Sequence, residues 1–166
     1  MRARLVALAG LVALASALAG CGFTPLYAEP GVTPGLAGIE TVAPEGRTGY
    51  LLREALDDAL ARNPAVPPTW KLTIDLRETR TPRGRRVDSA ASRYELVLTA
   101  RWKLISTATG QVVREGTTQT EVTFDRADQP YAGIAANQDA QSRAAGELAR
   151  KIQLQLADWI ARSNGG

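Results

Sequence analysis

Two features of the sequence have residue types and spacing fit for chemistry. The stretch RETRTPRGRR, residues 77–86, carries Arg77, Arg80, Arg83, Arg85 and Arg86 against a single acid, Glu78. Guanidinium groups at that density present planar forks of N–H donors, suited to bidentate contact with phosphate or carboxylate. Arg80, Arg83, Arg85 and Arg86 are therefore the candidate anion-binding residues. The plainer reading is a solvated loop whose charge keeps a sheet edge soluble. The second feature is Cys21, the only cysteine in the chain, placed where an apolar run stops.

That run explains the thiol. Leu5 to Gly20 is about 16 residues of Leu, Val, Ala, Gly and one Ser, short of the roughly 20 that a helix needs to span hydrocarbon. Arg2 and Arg4 precede it and no basic cluster follows, which is the form of a secretory leader. Its end, Leu18-Ala19-Gly20-Cys21, matches bacterial lipoprotein processing: an aliphatic residue, two small ones, then Cys. Small side chains let the processing enzyme reach the bond, and the thiol receives a diacylglyceryl group. Residues 1–20 are expected to be removed and Cys21 to become an acylated first residue, carrying diacylglycerol and an N-acyl chain. Each buried methylene adds about 0.8 kcal/mol of membrane affinity, so two or three chains anchor firmly. A plain signal peptide with a free thiol and a true membrane helix are the competing readings. Gly22 stands where enterobacterial lipoproteins kept in the inner membrane carry Asp, which points to the outer membrane.

The remaining composition is mostly exclusion. Losing Arg2 and Arg4 leaves 18 basic residues against 17 acidic ones, so a general nucleic-acid or anionic-membrane binder is not implied. There is no His, which removes His-based triads and most zinc sites. No glycine-rich phosphate loop follows a strand, and no cofactor or metal is expected. Glu54, Asp57 and Asp58 form a carboxylate group, but on the solvent side of a helix. Trp70, Trp102 and Trp159 fall on core-facing positions. Phe23 and Tyr27 lie beside the anchor, where aromatics suit a membrane interface or a partner groove.

These residues need elements to position them. Gly22, Pro25, Pro30, Gly31, Pro34 and Gly35 leave no room for a helix, so residues 21–35 are expected to form an extended tether and 36–166 a single domain. A short strand is expected at 38–43. Thr48 is the expected N-cap of a helix over 49–62, with Leu51, Leu52, Ala55, Leu56, Ala59 and Leu60 as its apolar stripe. Alternation in TWKLTIDLRET then predicts a half-buried strand. Pro82 and Gly84 break the pattern over 81–91 and place most of the arginines at a hairpin tip. Alternation resumes in RYELVLTARWKLIS, turns at Thr107–Gly110, and returns as a Thr-rich strand. A loop over 125–133 leads to a long helix, about 134–162. The order β-α-β-β-β-α gives an α+β two-layer sandwich with both helices on one sheet face and the other face polar.

The segment LAGCGFTPLYA resembles the start of the mature lipopolysaccharide-assembly lipoproteins, the LptE family, in its alphaproteobacterial branch. LAGIETVAPEGRTGYLLREALDDAL and YAGIAANQDAQSRAAGELARKIQLQLADWI are similar to that family too. The resemblance implies two helices on a four-stranded mixed, largely antiparallel sheet. It implies a non-enzymatic lipoprotein at the inner leaflet of the outer membrane, on the periplasmic side. It implies a partner, the outer-membrane β-barrel LptD, whose lumen the lipoprotein partly fills, and binding of lipopolysaccharide through basic residues. Two alternatives stand beside it. One is an accessory lipoprotein of another envelope lipid-transport system, with an apolar cavity in place of a packed core. The other is a carboxylate-based envelope hydrolase, which needs two carboxylates about 5–10 Å apart in a cleft.

Overall fold

Side-chain alternation along three long strands organises the molecule. The structure is a computed structural model that describes residues 31–85, 91–125 and 129–164. The leader, Cys21, most of the expected tether and Arg86 lie outside those residues. The elements are α1 (Val32–Ala37), β1 (Ile39–Val42), α2 (Arg47–Ala59), β2 (Trp70–Arg85), β3 (Ala91–Ser106), β4 (Val112–Asp125) and α3 (Pro130–Asn164). The sheet order is β1-β2-β3-β4, with β1 parallel to β2 and the other pairs antiparallel. This is the expected α+β sandwich with a four-stranded mixed sheet.

Residues of even number along β2 and β3 point to the helices. Leu72, Ile74, Leu96, Leu98, Ala100, Trp102 and Leu104 are buried there, against Leu52 and Leu56 of α2, Leu60 at its C-cap, and Leu148, Ile152, Leu156 and Ile160 of α3. Full burial of each such Leu or Ile contributes about 1.5–3 kcal/mol. Ala140, Ala144, Ala145 and Ala149 keep the first half of α3 slim on its buried side. Trp102 is buried as expected, while Trp70 and Trp159 are partly buried and meet edge to face at 5.7 Å. On β4 two helix-facing positions are polar. Thr118 donates to Gln155 Oε1 at 3.2 Å, and Thr120 donates to Glu147 Oε2 at 2.8 Å, so α3 supplies the partners that burial requires.

Four expectations are corrected. Residues 32–35, expected in the tether, fall in helix α1. Pro34 is the third helical residue, where its missing N–H has no intrahelical partner to lose. Val32 and Leu36, four apart, are buried together, and Gly35 lies so near Ile160 that a Cβ would meet it at 3.2 Å. Helix α2 starts at Arg47 with Gly46 as N-cap, and Thr48 is not the cap; its hydroxyl instead donates to Glu78 Oε2 at 2.7 Å. Residues 81–85 do not break the strand, because the β2–β3 ladder continues to Arg85↔Ala91. Strand β1 pairs only with Trp70–Thr73, so among the described residues β2 beyond that point is an edge on its other side, a setting that tolerates Pro82. Helix α3 begins at Pro130, a residue pre-organised for the first turn, and the preceding loop is shorter than expected.

Candidate functional site

Continuation of the ladder divides the arginine cluster. Arg77 and Arg83, at odd positions, share the face turned away from the helices with Asp75, Thr79 and Thr81. Arg80, at an even position, falls on the helix side, paired with Leu96. Arg85 pairs with Ala91 at the end of the ladder, and Arg86 lies outside the described residues. The four candidates therefore do not form one patch on one face.

The open face is a flat polar grid. The register sets Thr73, Lys103 and Glu115 in one row, Asp75, Arg101 and Thr117 in the next, and Arg77, Thr99 and Gln119 in the third. Further along, Arg83 makes a fork to Glu95, with Nε donating to Oε2 at 2.8 Å and Nη2 to Oε1 at 2.9 Å. The Arg83 guanidinium holds the Glu95 carboxyl below its ordinary range, and Glu95 raises Arg83 in turn. Arg93 pairs with Asp125 at 3.0 Å. Charge is thus satisfied internally at the far end of the sheet. Arg77, Arg101 and Lys103 in the middle rows pair with no carboxylate among the described residues. A shallow depression of about 740 Å³ crosses these rows, lined by Asp75, Arg101, Lys103 and Glu115. From strand spacing and register, the Cα atoms of Asp75 and Glu115 stand roughly 12 Å apart across β3. Glu54 and Asp58 are exposed on α2, as expected.

Arg80 sits elsewhere. Its guanidinium lies over the Tyr94 ring, 5.3 Å from the centroid, and Nη1 donates to Asn137 Oδ1 at 3.5 Å. Tyr94 stacks on Phe124 at 5.5 Å. Together with Arg47, Pro130 and Ile134 these residues line a groove of about 480 Å³ between sheet and α3. The groove was not foreseen from the sequence. Its only sequence signal is the even spacing of Arg80 with Leu72, Ile74 and Leu76, which marks it as helix-facing.

The two ends of the body differ. Gly35 packs near Trp70 and Ile160, at the start of β2 and the end of α3, while Arg85 and Ala91 close the opposite end. Sixteen residues of strand separate them, roughly 50 Å. Among the described residues no helix is long and apolar enough to cross a membrane, and no group of three or more metal-binding side chains occurs.

The model of the LptE family, described as lipopolysaccharide-assembly, matches residues 36–156. The crystal structure of a lipoprotein from Caulobacter crescentus CB15 is 53% identical, over 80% of this chain and 98% of that one, with a TM-score of 0.71. A minor lipoprotein from Acinetobacter baumannii shares the fold, at 14% identity and a TM-score of 0.53 over 72% of this chain and 88% of that one. No curated protein matches significantly.

Proposed function

The chain belongs to the LptE family of non-enzymatic lipopolysaccharide-assembly lipoproteins, and from that premise we propose that it is an acylated partner of the LptD β-barrel at the outer membrane. Cleavage before Cys21 and acylation of its thiol anchor the protein in the inner leaflet, on the periplasmic side. The body plugs and assembles the barrel that places lipopolysaccharide in the outer leaflet. Arg80, Arg83 and Arg85 stand toward the end of the sheet opposite Gly35, and with Arg86 they are the candidates for contact with lipopolysaccharide or the acidic groups of the lumen.

One observation carries this reading. The described body begins at Gly31, ten residues after Cys21, a length that reaches at most about 36 Å. With Cys21 acylated, the base of the sheet stays within that reach of the anchoring leaflet. From there a polar, uncovered face runs roughly 50 Å, more than the roughly 30 Å of hydrocarbon. A face of Thr, Arg, Lys and Glu of that length has no place in lipid, whereas a barrel lumen is polar and wet. The space between sheet and helices is filled by Trp102 and its neighbours, a packed core where a lipid-carrying accessory protein would need an apolar cavity.

The test is purification of the full acylated protein from solubilised outer membrane. Co-purification of LptD in near-equal amount is the expected result. A monomer that brings down no large β-barrel overturns the proposal.

A further inference from the structure

We infer that the base of the body rests on the bilayer itself. The loop between α2 and β2 and the turn between β3 and β4 enter the lipid interface, at the level of headgroups and glycerol, and set the tilt of the protein on the membrane. This rests on the acyl-anchor reading above and assigns a second surface, made of folded chain, that meets lipid.

The two ends of the sheet differ in charge. The far end carries Arg80, Arg83, Arg85, Arg93 and Asp125. At the base the sequence has no charged residue from Asn63 to Trp70, and none from Leu104 to Val113. The two stretches lie together, because Thr107 N donates to Thr69 O at 3.1 Å and Thr107 Oγ1 donates to Pro68 O at 2.8 Å. Val66, Val112 and Val113 are 47%, 49% and 40% exposed, and Pro64, Ala65 and Pro67 are exposed beside Val66. The loop ends on Trp70, which meets Trp159 edge to face. Indole rings favour the membrane interface.

The loop backbone suits a medium poor in hydrogen-bonding partners. Pro64, Pro67 and Pro68 have no N–H. Ala65 N donates to Asn63 Oδ1 at 3.0 Å, and Val66 N donates to Asn63 O at 3.1 Å. Thr69 N and Trp70 N both donate to Gly38 O, at 2.9 and 3.2 Å. Every backbone donor from residue 64 to 70 is thus either satisfied or missing, which a loop in water does not require and a loop against lipid does. Arg62 Nη1 donates to the carbonyls of Ala37 at 3.4 Å and Val66 at 3.1 Å, which fixes the loop against α1. In the turn the N–H groups of Ser106, Thr107, Gly110 and Gln111 have acceptors as well. Those of Ala108 and Thr109, at the tip, are left for headgroup oxygens.

Lipid fits this surface better than protein does. Gly31 is ten residues after Cys21, so the base stays within about 36 Å of the acyl chains. Protein interfaces are anchored on Trp, Tyr and Arg, whereas the exposed tips offer Val, Pro, Ala and Thr with most of their donors already used. Charges behind the tips are balanced: Glu40 stands opposite Lys71, and Lys103 opposite Glu115. The contact is therefore apolar in origin and independent of salt and of anionic lipid. Three half-exposed valines do not hold a body on a bilayer by themselves. The acyl chains supply the binding, and the base supplies the orientation.

Acylation consumes Cys21, the only thiol of the chain, so a single introduced cysteine takes a nitroxide label cleanly. The test is power-saturation EPR of the full acylated protein in vesicles of phosphatidylethanolamine and phosphatidylglycerol. Labels are placed at Val66→Cys and Val112→Cys, with Thr117→Cys on the open face as the control. The two base labels should lose most of their collisions with a water-soluble nickel chelate and gain collisions with oxygen, relative to the control. The difference should persist at high salt and in vesicles without phosphatidylglycerol. With the label at Ala108→Cys, adding Val66→Asp/Val112→Asp should restore nickel access. All these positions are exposed, so melting temperatures should match wild type; should any of these variants melt lower, the Ala108 label in the otherwise wild-type chain carries the measurement. Nickel access at the base equal to that at Thr117 overturns the inference. So does protection that is lost at high salt, or that arises only when LptD is added, which would assign the base to protein. Exposed base labels on a protein that still brings down LptD remove this contact and leave the proposed function standing. Protected base labels on an acylated protein that brings down no barrel do the reverse. A Cys21 thiol found unmodified by mass removes the anchor and this contact together.

Discussion

Gly116 lies directly opposite Trp102 in the β3–β4 register, and a Cβ on Gly116 would stand 2.5 Å from the indole ring. The ring is 1% exposed, and its Nε1 donates to Thr118 Oγ1 at 2.9 Å. Thr118 passes the chain of hydrogen bonds to Gln155 on α3. The absence of a side chain at Gly116 is therefore what lets the largest core residue lie flat on β4 while staying bonded to the helix layer.

Gly116→Ala should accordingly destabilise the protein. The added methyl meets ring atoms at less than contact distance, and the tryptophan cannot retreat without breaking its bond to Thr118. Overpacking of this kind costs about 1–3 kcal/mol. Denaturant unfolding should show a lower midpoint with an unchanged slope. A variant as stable as wild type would mean that the strand shifts freely there.

The Arg83–Glu95 fork predicts a signed pH dependence. Arg83 lowers the Glu95 pKa from its ordinary value of 4.5, so the pair stabilises the fold above that value, and the contribution is lost as pH falls through the lowered pKa. Arg83 is exposed, although the Glu95 side chain is only 14% exposed, and with one partner in solvent the effect is small and salt-screened. The stability difference between wild type and Glu95→Gln should shrink as pH is taken from about 6 to 3, and again when salt is raised. A difference independent of pH over that range contradicts the pairing. The partner's raised pKa has no consequence in the accessible range, because arginine remains charged throughout.

Much of this architecture was legible because its periods are clean. Even positions from Trp70 to Leu76 and from Tyr94 to Leu104 announce a face for the core, and Leu52 and Leu56 announce a helix to cover it. What failed to show was context. Pro34 and Gly35 read as helix breakers, yet Pro34 falls in a first turn and Gly35 is needed where Ile160 approaches. Pro82 reads as the end of a strand, but β1 is only four residues long, which leaves β2 with an edge that can hold a proline. The groove depends on where α2 stops relative to α3, a three-dimensional offset with no local signature. The arginine run looked like one site because proximity in sequence hides the alternation that sends Arg80 to one face and Arg83 to the other.

Cys21 carries a separate prediction. Cys21→Ala should leave an unprocessed precursor, heavier by its leader and lacking acyl chains, and should lose outer-membrane co-fractionation with LptD. Intact-mass measurement of the wild-type protein should show diacylglyceryl and N-acyl additions on a chain starting at residue 21. A wild-type mass with an unmodified thiol would contradict the anchor, and with it the placement of the sheet's base near the inner leaflet.

The open face gives the last prediction. Arg101 and Lys103 occupy its middle rows on the central strand β3 and pair with no carboxylate among the described residues. Unpaired cations on a flat, exposed grid contribute little to the fold of the free protein, since charges there are solvated and screened. Arg101→Glu/Lys103→Glu should therefore fold with a melting temperature close to wild type. Inside a narrow lumen the same charges lose much of their solvent, and their complement must come from the barrel wall. Reversing both places like charges against each other across a partly dehydrated contact, a juxtaposition that costs several kcal/mol. LptD co-purification should fall at least tenfold, with partial recovery in high salt. The same reversal at Arg53 on the outer face of α2 serves as the control and should leave recovery of the barrel unchanged. Full recovery of LptD with the double reversal on β3 would mean that this face does not meet the lumen wall.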